Sequence, residues 1–223
     1  MIACLFSGGK DSTLALHKAY ELGAKPDILI TFRSANPESY MFHYPNVEFT
    51  KLQAEALGIK QVIVDTKGVK EEELKDLEKA LIDNKVSAII TGATYSRYQA
   101  DRINNIAQKL GIEHIAPLWH IDPFEELNEI ARKFNAIVTS VSAEGLSTDL
   151  LGKRIDENLI NELKKAHEKY HINMLFEGGE AESFVLDAPL FKKRIKIKSA
   201  EKKINGMNGV YIIKEAVLEE KKE

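Results

Sequence analysis

The residues best suited to chemistry lie near the start of the chain, in the run Ser7, Gly8, Gly9, Lys10, Asp11 and Ser12. Two adjacent glycines let the backbone turn sharply, and a helix that begins directly after them would aim free N–H groups at an anion. The ammonium of Lys10 and the hydroxyls of Ser7 and Ser12 add further donors. Asp11 would repel a bare phosphate, but it suits a site in which a metal ion bridges phosphates. The run therefore predicts a phosphate-binding loop that works with a metal.

This run matches neither of the two common phosphate-binding motifs. A Walker A motif needs G-x-x-x-x-G-K-[ST], whereas Asp11 follows Lys10 here, and the dinucleotide fingerprint G-x-G-x-x-G is absent. A solvent-exposed turn between a strand and a helix is the plain alternative, because Gly, Ser and Asp are common in turns. The position of the whole run between the first predicted strand and the first predicted helix favours a ligand site.

The elements that position this run alternate between strand and helix patterns through the first half of the chain. Short apolar runs predict strands, and helix-period segments that end at Gly23, Gly58 and Gly111 predict helices. Such alternation indicates βαβ units, hence a parallel sheet with right-handed crossovers and helices on both faces. The predicted strands are residues 2–6, 28–32, 61–65, 88–91 and 113–116, and the predicted helices are residues 11–22, 48–57, 69–84 and 98–110.

The pattern changes near Pro117. Asp122, followed by Pro123 and Glu125, predicts the N-terminus of a helix. We therefore expect an α/β fold in which residues 1–118 carry the phosphate-binding loop and residues 119–223 form a smaller α+β C-terminal domain that binds substrate. In that domain the predicted elements are strands at residues 136–141 and 210–218, a helix at residues 155–170, and a basic edge strand at residues 194–198.

Composition places the chain among globular proteins and excludes several classes. Of 223 residues, 44% are hydrophobic and 29% are charged, which excludes wholesale disorder, and a formal charge of −3 gives no electrostatic case for direct binding of nucleic acid. A single cysteine, Cys4, cannot build a disulfide framework or a four-thiolate zinc site within one chain. Because no apolar stretch approaches ~18 residues and the start lacks the basic region of a signal peptide, we expect no membrane association and a cytoplasmic location.

Residues 7–12 resemble the pyrophosphatase loop (PP-loop) of the ATP pyrophosphatases, which are Rossmann-like α/β enzymes. Those enzymes split ATP between its α and β phosphates, so that a substrate oxygen is adenylated and pyrophosphate leaves. Further segments make the chain resemble the diphthine–ammonia ligase family, which amidates diphthine on elongation factor 2 to give diphthamide. The family usually has an aromatic residue where Ala181 stands and a glycine where Phe176 stands. The matching segments are residues 39–43, 45–46, 53–58, 92–94, 96–99 with Arg102, 117–119, 177–183 and 186–189.

The resemblance implies a set of ligands, partners and site residues. ATP and Mg²⁺ are the implied cofactors, diphthine-bearing elongation factor 2 and ammonium are the implied partners, and a homodimer is left open. The implied catalytic residues are Lys10, Asp11, Glu180 and Glu182, with Asp11 as the metal ligand. ATP would contact Ser7, Gly8, Gly9, Lys10, Asp11, Ser12 and Gly92. The substrate would contact His43, Tyr98, Gln99, Arg102, Glu177, Gly178 and Gly179.

Other interpretations remain open beside this one. The glutamates of residues 177–183, taken alone, are typical of a glycine turn with solvated acids. The basic residues between 192 and 203 form either the solvent side of an edge strand or a docking surface for a large partner. A PP-loop enzyme that modifies tRNA is the nearest enzymatic rival, although the single cysteine disfavours the sulfur-inserting members. A nucleotide-binding regulatory module without turnover is the other rival, although passive ATP binding would need neither Asp11 nor a second acidic loop.

Overall fold

A parallel sheet forms the centre of the first half of the chain. The computed structural model describes residues 1–34, 46–69 and 72–221, without the side chains of residues 98 and 99. The strands of this sheet are β1 (Ile2–Leu5), β2 (Ile28–Ser34), β3 (Lys60–Thr66), β4 (Ala88–Ile90) and β5 (Glu113–Ile115). They lie in the order β3-β2-β1-β4-β5, and each neighbouring pair is parallel, which confirms the predicted parallel sheet.

Helices fill the connections between these strands, as the alternating pattern predicts. α2 ends where Gly58 takes a φ of 70°, a left-handed conformation that favours glycine. None of the helices in the described part of the chain has the length and apolarity needed to cross a bilayer. The helices are α1 (Lys10–Glu21) after β1, α2 (Thr50–Leu57) after β2, α3 (Glu72–Asp83) after β3 and α4 (Arg97–Leu110) after β4.

The alternating side chains of β2 show how the sheet is covered. Ile28, Ile30 and Phe32 share one buried cluster with Leu77 of α3 and Ile103 of α4. The intervening residues of β2 face the opposite side of the sheet, where right-handed crossovers place α1 and α2. Helices therefore cover both faces, as expected for an α/β fold of this type.

The single cysteine is part of this core. Cys4 lies in the central strand β1 and is fully buried. Burial raises the pKa of the Cys4 thiol, because the charged thiolate loses its hydration there. The thiolate is the reactive form of cysteine, so Cys4 is an inert core residue.

The direction in which strands are added reverses at β1. β2 and β3 lie on one side of β1, whereas β4 and β5 lie on the other. In open α/β sheets, the loops that leave two such strands run to opposite sides and open a crevice at the carboxyl ends of the strands. Residues 7–12 follow β1 and Gly92 follows β4, so both segments border this crevice.

The second half of the chain is a separate α+β unit. The chain divides into compact units Met1–His120 and Ile121–Glu223. The second unit contains α5 (Pro123–Lys133), β6 (Asn135–Val141), α6 (Glu157–Tyr170), β7 (Ala181–Asp187), β8 (Lys193–Asn205) and β9 (Asn208–Glu220). Its antiparallel sheet has the order β7-β6-β9-β8, in which β8 pairs with β9.

The basic strand β8 lies at the edge of this described sheet, as its alternating pattern predicts. Arg194 and Lys196 both contact Glu219 of β9, at 2.5 and 3.1 Å, and Lys193 contacts Glu220 at 2.9 Å. Hydrogen bonds from Lys196 and Arg194 hold the pKa of the Glu219 carboxyl below its usual value. Part of the basic surface is therefore neutralised by the strand next to it.

The predicted cap of α5 offers a test of its local stability. Asp122 Oδ1 accepts hydrogen bonds from the backbone N–H groups of Phe124 and Glu125, at 2.9 and 3.1 Å. Asp122→Ala removes this acceptor, so we expect the free energy of unfolding to fall by about 1 kcal/mol. Urea unfolding of the full chain, followed by circular dichroism, measures the change. Asp122→Asn keeps a capping oxygen and should stay close to wild type; an equal loss in both variants would contradict capping by that oxygen.

Candidate functional site

The loop between β1 and α1 has the geometry of an anion site. Gly8 has a φ of 80°, which glycine adopts without strain. Gly9 is the N-cap residue of α1, and no side chain among the described residues caps that helix. Ser7 Oγ and Ser12 Oγ lie 3.1 Å apart, and Ser12 Oγ donates to the Gly9 carbonyl at 3.2 Å. The predicted residues 7–12 therefore come together at a helix N-terminus whose N–H groups and dipole favour an anion.

Lys10 and Asp11 form an ion pair in the first turn of α1. Lys10 Nζ lies 2.6 Å from Asp11 Oδ1, and the lysine side chain is 1% exposed whereas that of the aspartate is 29% exposed. A buried ammonium is stable only with a partner, and Asp11 supplies one. The pair places a fixed positive charge and a partly exposed carboxylate side by side at the start of the helix.

Asp11 is also the residue that the sequence proposes as a metal ligand. Within residues 1–34, 46–69 and 72–221, no group of three or more His, Cys, Asp or Glu side chains could hold a metal ion. Mg²⁺ keeps several waters and is commonly bound through one or two carboxylates and the phosphates of a substrate. One partly exposed carboxylate beside an anion loop therefore fits a Mg²⁺ ion that arrives with a nucleotide, and it does not fit a preformed protein cage.

A buried polar network supports the loop. Gln53 of α2 is fully buried, and its Nε2 donates to the Gly8 carbonyl at 2.8 Å. Gln61 of β3 donates to the hydroxyls of Thr31 and Thr50, both at 2.8 Å. Polar groups this deep are stable only when they are hydrogen-bonded. Gln53 therefore fixes the shape of the Gly8 turn from the side of the protein core, and the bonds of Gln61 join β2, α2 and β3.

Sequence analysis missed this network. Gln53 belongs to one of the matching motif segments, but no local pattern says that its amide reaches a residue 45 positions earlier in the chain. A Cβ atom on Gly8 would come within 2.2 Å of Gln53 Oε1, so Gly8 is needed for space as well as for its conformation. The available signal was a set of polar residues, Thr31, Thr50 and Gln53, at positions where neighbouring residues are buried and apolar.

Gly92 lies against the same helix start. A Cβ atom on Gly92 would lie 2.8 Å from the backbone carbonyl carbon of Asp11 and 2.9 Å from the backbone nitrogen of Ser12. Real Cβ atoms do not approach a backbone this closely, so glycine lets the end of β4 pack on the first turn of α1. The structure thus brings Gly92 together with the predicted loop.

A histidine fixes the strand end next to Gly92. His114 Nε2 lies 2.8 Å from Thr91 Oγ1, and His114 Nδ1 lies 2.6 Å from Asn104 Oδ1. Burial lowers the pKa of His114, which keeps the ring neutral. The neutral ring donates its Nδ1–H to Asn104 Oδ1 and accepts a hydrogen bond from the Thr91 hydroxyl at Nε2. These two hydrogen bonds connect β5 with α4 and with the end of β4. Sequence analysis did not identify this contact either.

The other predicted site residues of the N-terminal unit centre on α4. Arg102 is a half-buried residue of this helix, which follows the Gly92 segment. Tyr98 and Gln99 belong to its first turn, and their side chains lie outside the described residues. His43 lies outside the described residues as a whole.

The predicted acidic site at residues 177–183 is part turn and part strand. We expected one loop, but β7 begins at Ala181, and Glu182 pairs with Ser140 of β6. Ala181 is 4% exposed. The expectation of a loop was therefore wrong for its second half, because pairing with β6 and burial of Ala181 extend the strand into it.

Glu180 holds the turn that precedes this strand. Its Oε1 accepts a hydrogen bond from the backbone N–H of Asn173 and its Oε2 one from that of Gly178, both at 2.9 Å. Ser142 N–H donates to the Glu180 carbonyl at 2.8 Å, and Gly179 has a φ of 82°. Hydrogen bonds to an ionised carboxylate are among the strong ones. Both oxygens of Glu180 thus shape the turn, whereas Glu182 lies half-buried on β7.

Comparison with known protein families identifies both halves of the chain. Residues 1–114 match the family model of the diphthamide synthase N-terminal domain, and residues 122–218 match that of the diphthamide synthase C-terminal domain. A human protein named diphthine–ammonia ligase is 33% identical over 226 residues, which cover 90% of this chain and 84% of that protein. A Danio rerio protein of the same name is 34% identical over 220 residues, which cover 88% of this chain and 86% of that protein.

One solved structure is also similar. It is described as a predicted subunit of tRNA methyltransferase from Methanocaldococcus jannaschii. The match covers 84% of this chain and 97% of that chain, with a TM-score of 0.45 and 17% sequence identity.

The hydrogen bond between Gln53 and Gly8 can be tested by its removal. Gln53→Ala leaves the buried Gly8 carbonyl without this donor, so we expect the free energy of unfolding to fall by about 1–3 kcal/mol. Urea titration of the full chain measures the fall. Glu55→Ala, on the exposed side of the same helix, is the matched control and should change the value by less than about 0.5 kcal/mol. Equal stability of the two variants would contradict a supporting role for Gln53.

Proposed function

The chain belongs to the diphthamide synthase family, and on that basis we propose that it is an ATP-dependent, AMP-forming ligase that amidates the diphthine of elongation factor 2. Its substrates are then ATP, the diphthine-bearing factor and ammonia. The observation that carries this proposal is the loop of residues 7–12. It is a helix N-terminus whose glycine turn is held by Gln53 and whose first turn carries the pair Lys10 and Asp11.

The proposed reaction has two steps. Amide formation from a carboxylate and ammonia is uphill in water, so the acid must first be activated. An oxygen of the diphthine carboxylate attacks the α-phosphorus of ATP, the bond from that phosphorus to the bridging oxygen breaks, and pyrophosphate leaves. Ammonia then attacks the acyl carbon, the bond to AMP breaks, and the nitrogen loses a proton. The tasks left to the protein are positioning and stabilisation of charge.

In this proposal the loop of residues 7–12 serves the first step. The backbone N–H groups of Gly8, Gly9 and Lys10 hold the departing pyrophosphate, and the buried ammonium of Lys10 adds a fixed positive charge. Mg²⁺, when bound, neutralises phosphate charge, and Asp11 is the residue that would hold it. Gly92 keeps the first turn of α1 in place through close packing. Ser7 and Ser12 complete the set of donors.

The acidic segment serves the second step. Ammonia attacks only as the neutral amine and loses a proton as the amide forms, so a carboxylate base assists it. Because Glu180 already accepts two backbone N–H groups, we assign it the shaping of the turn, and we assign the proton to Glu182. The proposed substrate contacts are His43, Tyr98, Gln99, Arg102, Glu177, Gly178 and Gly179.

Product analysis tests the proposed reaction. With ATP, Mg²⁺, ammonium and diphthine-bearing elongation factor 2, we expect AMP and pyrophosphate in equal amounts with the amidated factor. Nucleotides are separated by chromatography, and the change in mass of the factor is followed by mass spectrometry. Omission of ammonium or replacement of diphthine by unmodified histidine should abolish amidation. Release of ADP, absence of turnover, or pyrophosphate release that needs tRNA instead of the factor would refute the proposal.

A pair of isosteric substitutions distinguishes the proposed roles of Glu180 and Glu182. Glu182→Gln removes the proposed base, so we expect the rate of amide formation to fall about a hundredfold while the KM for ATP stays within about twofold. Glu180→Gln places an NH₂ group against a backbone N–H, so we expect a loss of stability of about 1–2 kcal/mol in urea unfolding. Single-turnover amidation provides the first measurement. Full amidation by Glu182→Gln would remove Glu182 from the mechanism.

A further inference from the structure

Three aromatic side chains gather at the carboxyl edge of the parallel sheet. The ring of His120 lies 5.3 Å from that of Tyr95, inclined by 55°, and 4.8 Å from that of Trp119, inclined by 73°. Tyr95 is 40% exposed, His120 is exposed and Trp119 is half-buried. We call Tyr95, Trp119 and His120 the aromatic corner. All three belong to the unit Met1–His120.

The backbone holds the aromatic corner in a specific shape. His120 has a φ of 63°, which is uncommon for a residue with a side chain. Its N–H donates to the Thr94 carbonyl at 3.1 Å, and the N–H of Trp119 donates to the Ala116 carbonyl at 3.1 Å. The first bond ties the segment after β5 to the segment after β4, and the second closes a turn within the segment after β5. Unfavourable backbone conformations that the surrounding structure maintains are concentrated at functional sites, so the corner is a candidate for one.

The aromatic corner and the anion loop lie at the same edge of the parallel sheet, where the carboxyl ends of the strands meet. Tyr95 lies in the segment that follows β4, and Gly92 at the start of that segment packs on the backbone of Asp11. A ligand that reaches from the anion loop along this edge of the sheet would therefore meet the corner. Nothing in the proposed transfer of the adenylyl group uses these rings.

We propose that the aromatic corner binds the quaternary ammonium group of diphthine and so selects the fully methylated substrate, an inference that rests on the proposed function. A trimethylammonium group has no N–H to donate, so a protein recognises it through the faces of aromatic rings. The rings of Tyr95 and Trp119 are inclined by 55° and 73° to the ring of His120, which makes a corner suited to a rounded cation.

Direct binding can be measured without turnover. Trp119 is the single tryptophan of the chain, so its fluorescence reports this corner. Choline is the cationic probe, and 3,3-dimethylbutanol is its uncharged counterpart of the same shape. We expect choline to change the fluorescence in a saturable way and to bind at least about fivefold more tightly than the uncharged alcohol.

Substitutions of Tyr95 test whether choline binds at the aromatic corner. Tyr95→Leu should weaken choline binding at least about fivefold, whereas Tyr95→Phe, which keeps the ring face, should bind like wild type. Tyr170→Leu is the matched control, because Tyr170 is also 40% exposed and lies in the other unit. No saturable response to choline, equal binding of the uncharged alcohol, or displacement of choline by ATP would overturn the proposal; the last result would mark the corner as an adenine site.

Kinetics with the protein substrate separate this inference from the proposed function. We expect Tyr95→Leu to raise the KM for diphthine-bearing elongation factor 2 at least about fivefold, with the KM for ATP unchanged and Tyr95→Phe close to wild type. If elongation factor 2 is amidated but choline gives no fluorescence response, the inference is overturned and the proposed ligase activity stands. Choline binding that depends on Tyr95, without any amidation, refutes the ligase and leaves a site for quaternary ammonium groups.

Discussion

The hydrogen bond from Gln53 to the Gly8 carbonyl is the constraint on which the anion loop depends. A planar peptide points its C=O and its N–H in opposite directions, so fixing the Gly8 oxygen toward the core turns the Gly9 N–H away from it. A carbonyl turned inward must find a donor. The left-handed φ of Gly8 and the burial of Gln53 therefore depend on each other. Together they set the direction of the backbone at the start of α1.

The sequence predicts most of this fold because its signals are local. Apolar runs between helical segments are enough to predict the parallel sheet, and the residues around Asp122 are enough to predict the start of α5. The supports of the loop escape such reasoning, because Gln53 and Gly8 are 45 positions apart and meet only when the sheet forms. At Ala181 the local signal misleads, because glycines and glutamates favour a turn until β6 provides a partner strand.

Two glutamates of one short segment have different surroundings for this reason. Glu180 precedes the strand and turns both oxygens toward backbone N–H groups, while Glu182 lies within the strand, opposite Ser140. In the sequence motif the two glutamates look equivalent. The boundary between turn and strand lies between them and gives their carboxylates different surroundings. The same principle separates Lys10 from the lysines of β8: one is enclosed beside a carboxylate in a helix turn, and the others lie on an edge strand beside acidic neighbours.

The buried thiol of β1 has a practical consequence for attaching a dye to this chain. Because Cys4 is the single cysteine and is fully enclosed with a raised pKa, a maleimide dye would leave the native chain unlabelled. A cysteine introduced on the surface of each unit could then carry a fluorophore without first removing the natural one. Because a reagent would reach Cys4 only when the central sheet opens, the rate at which Cys4 is modified would report how often that opening occurs.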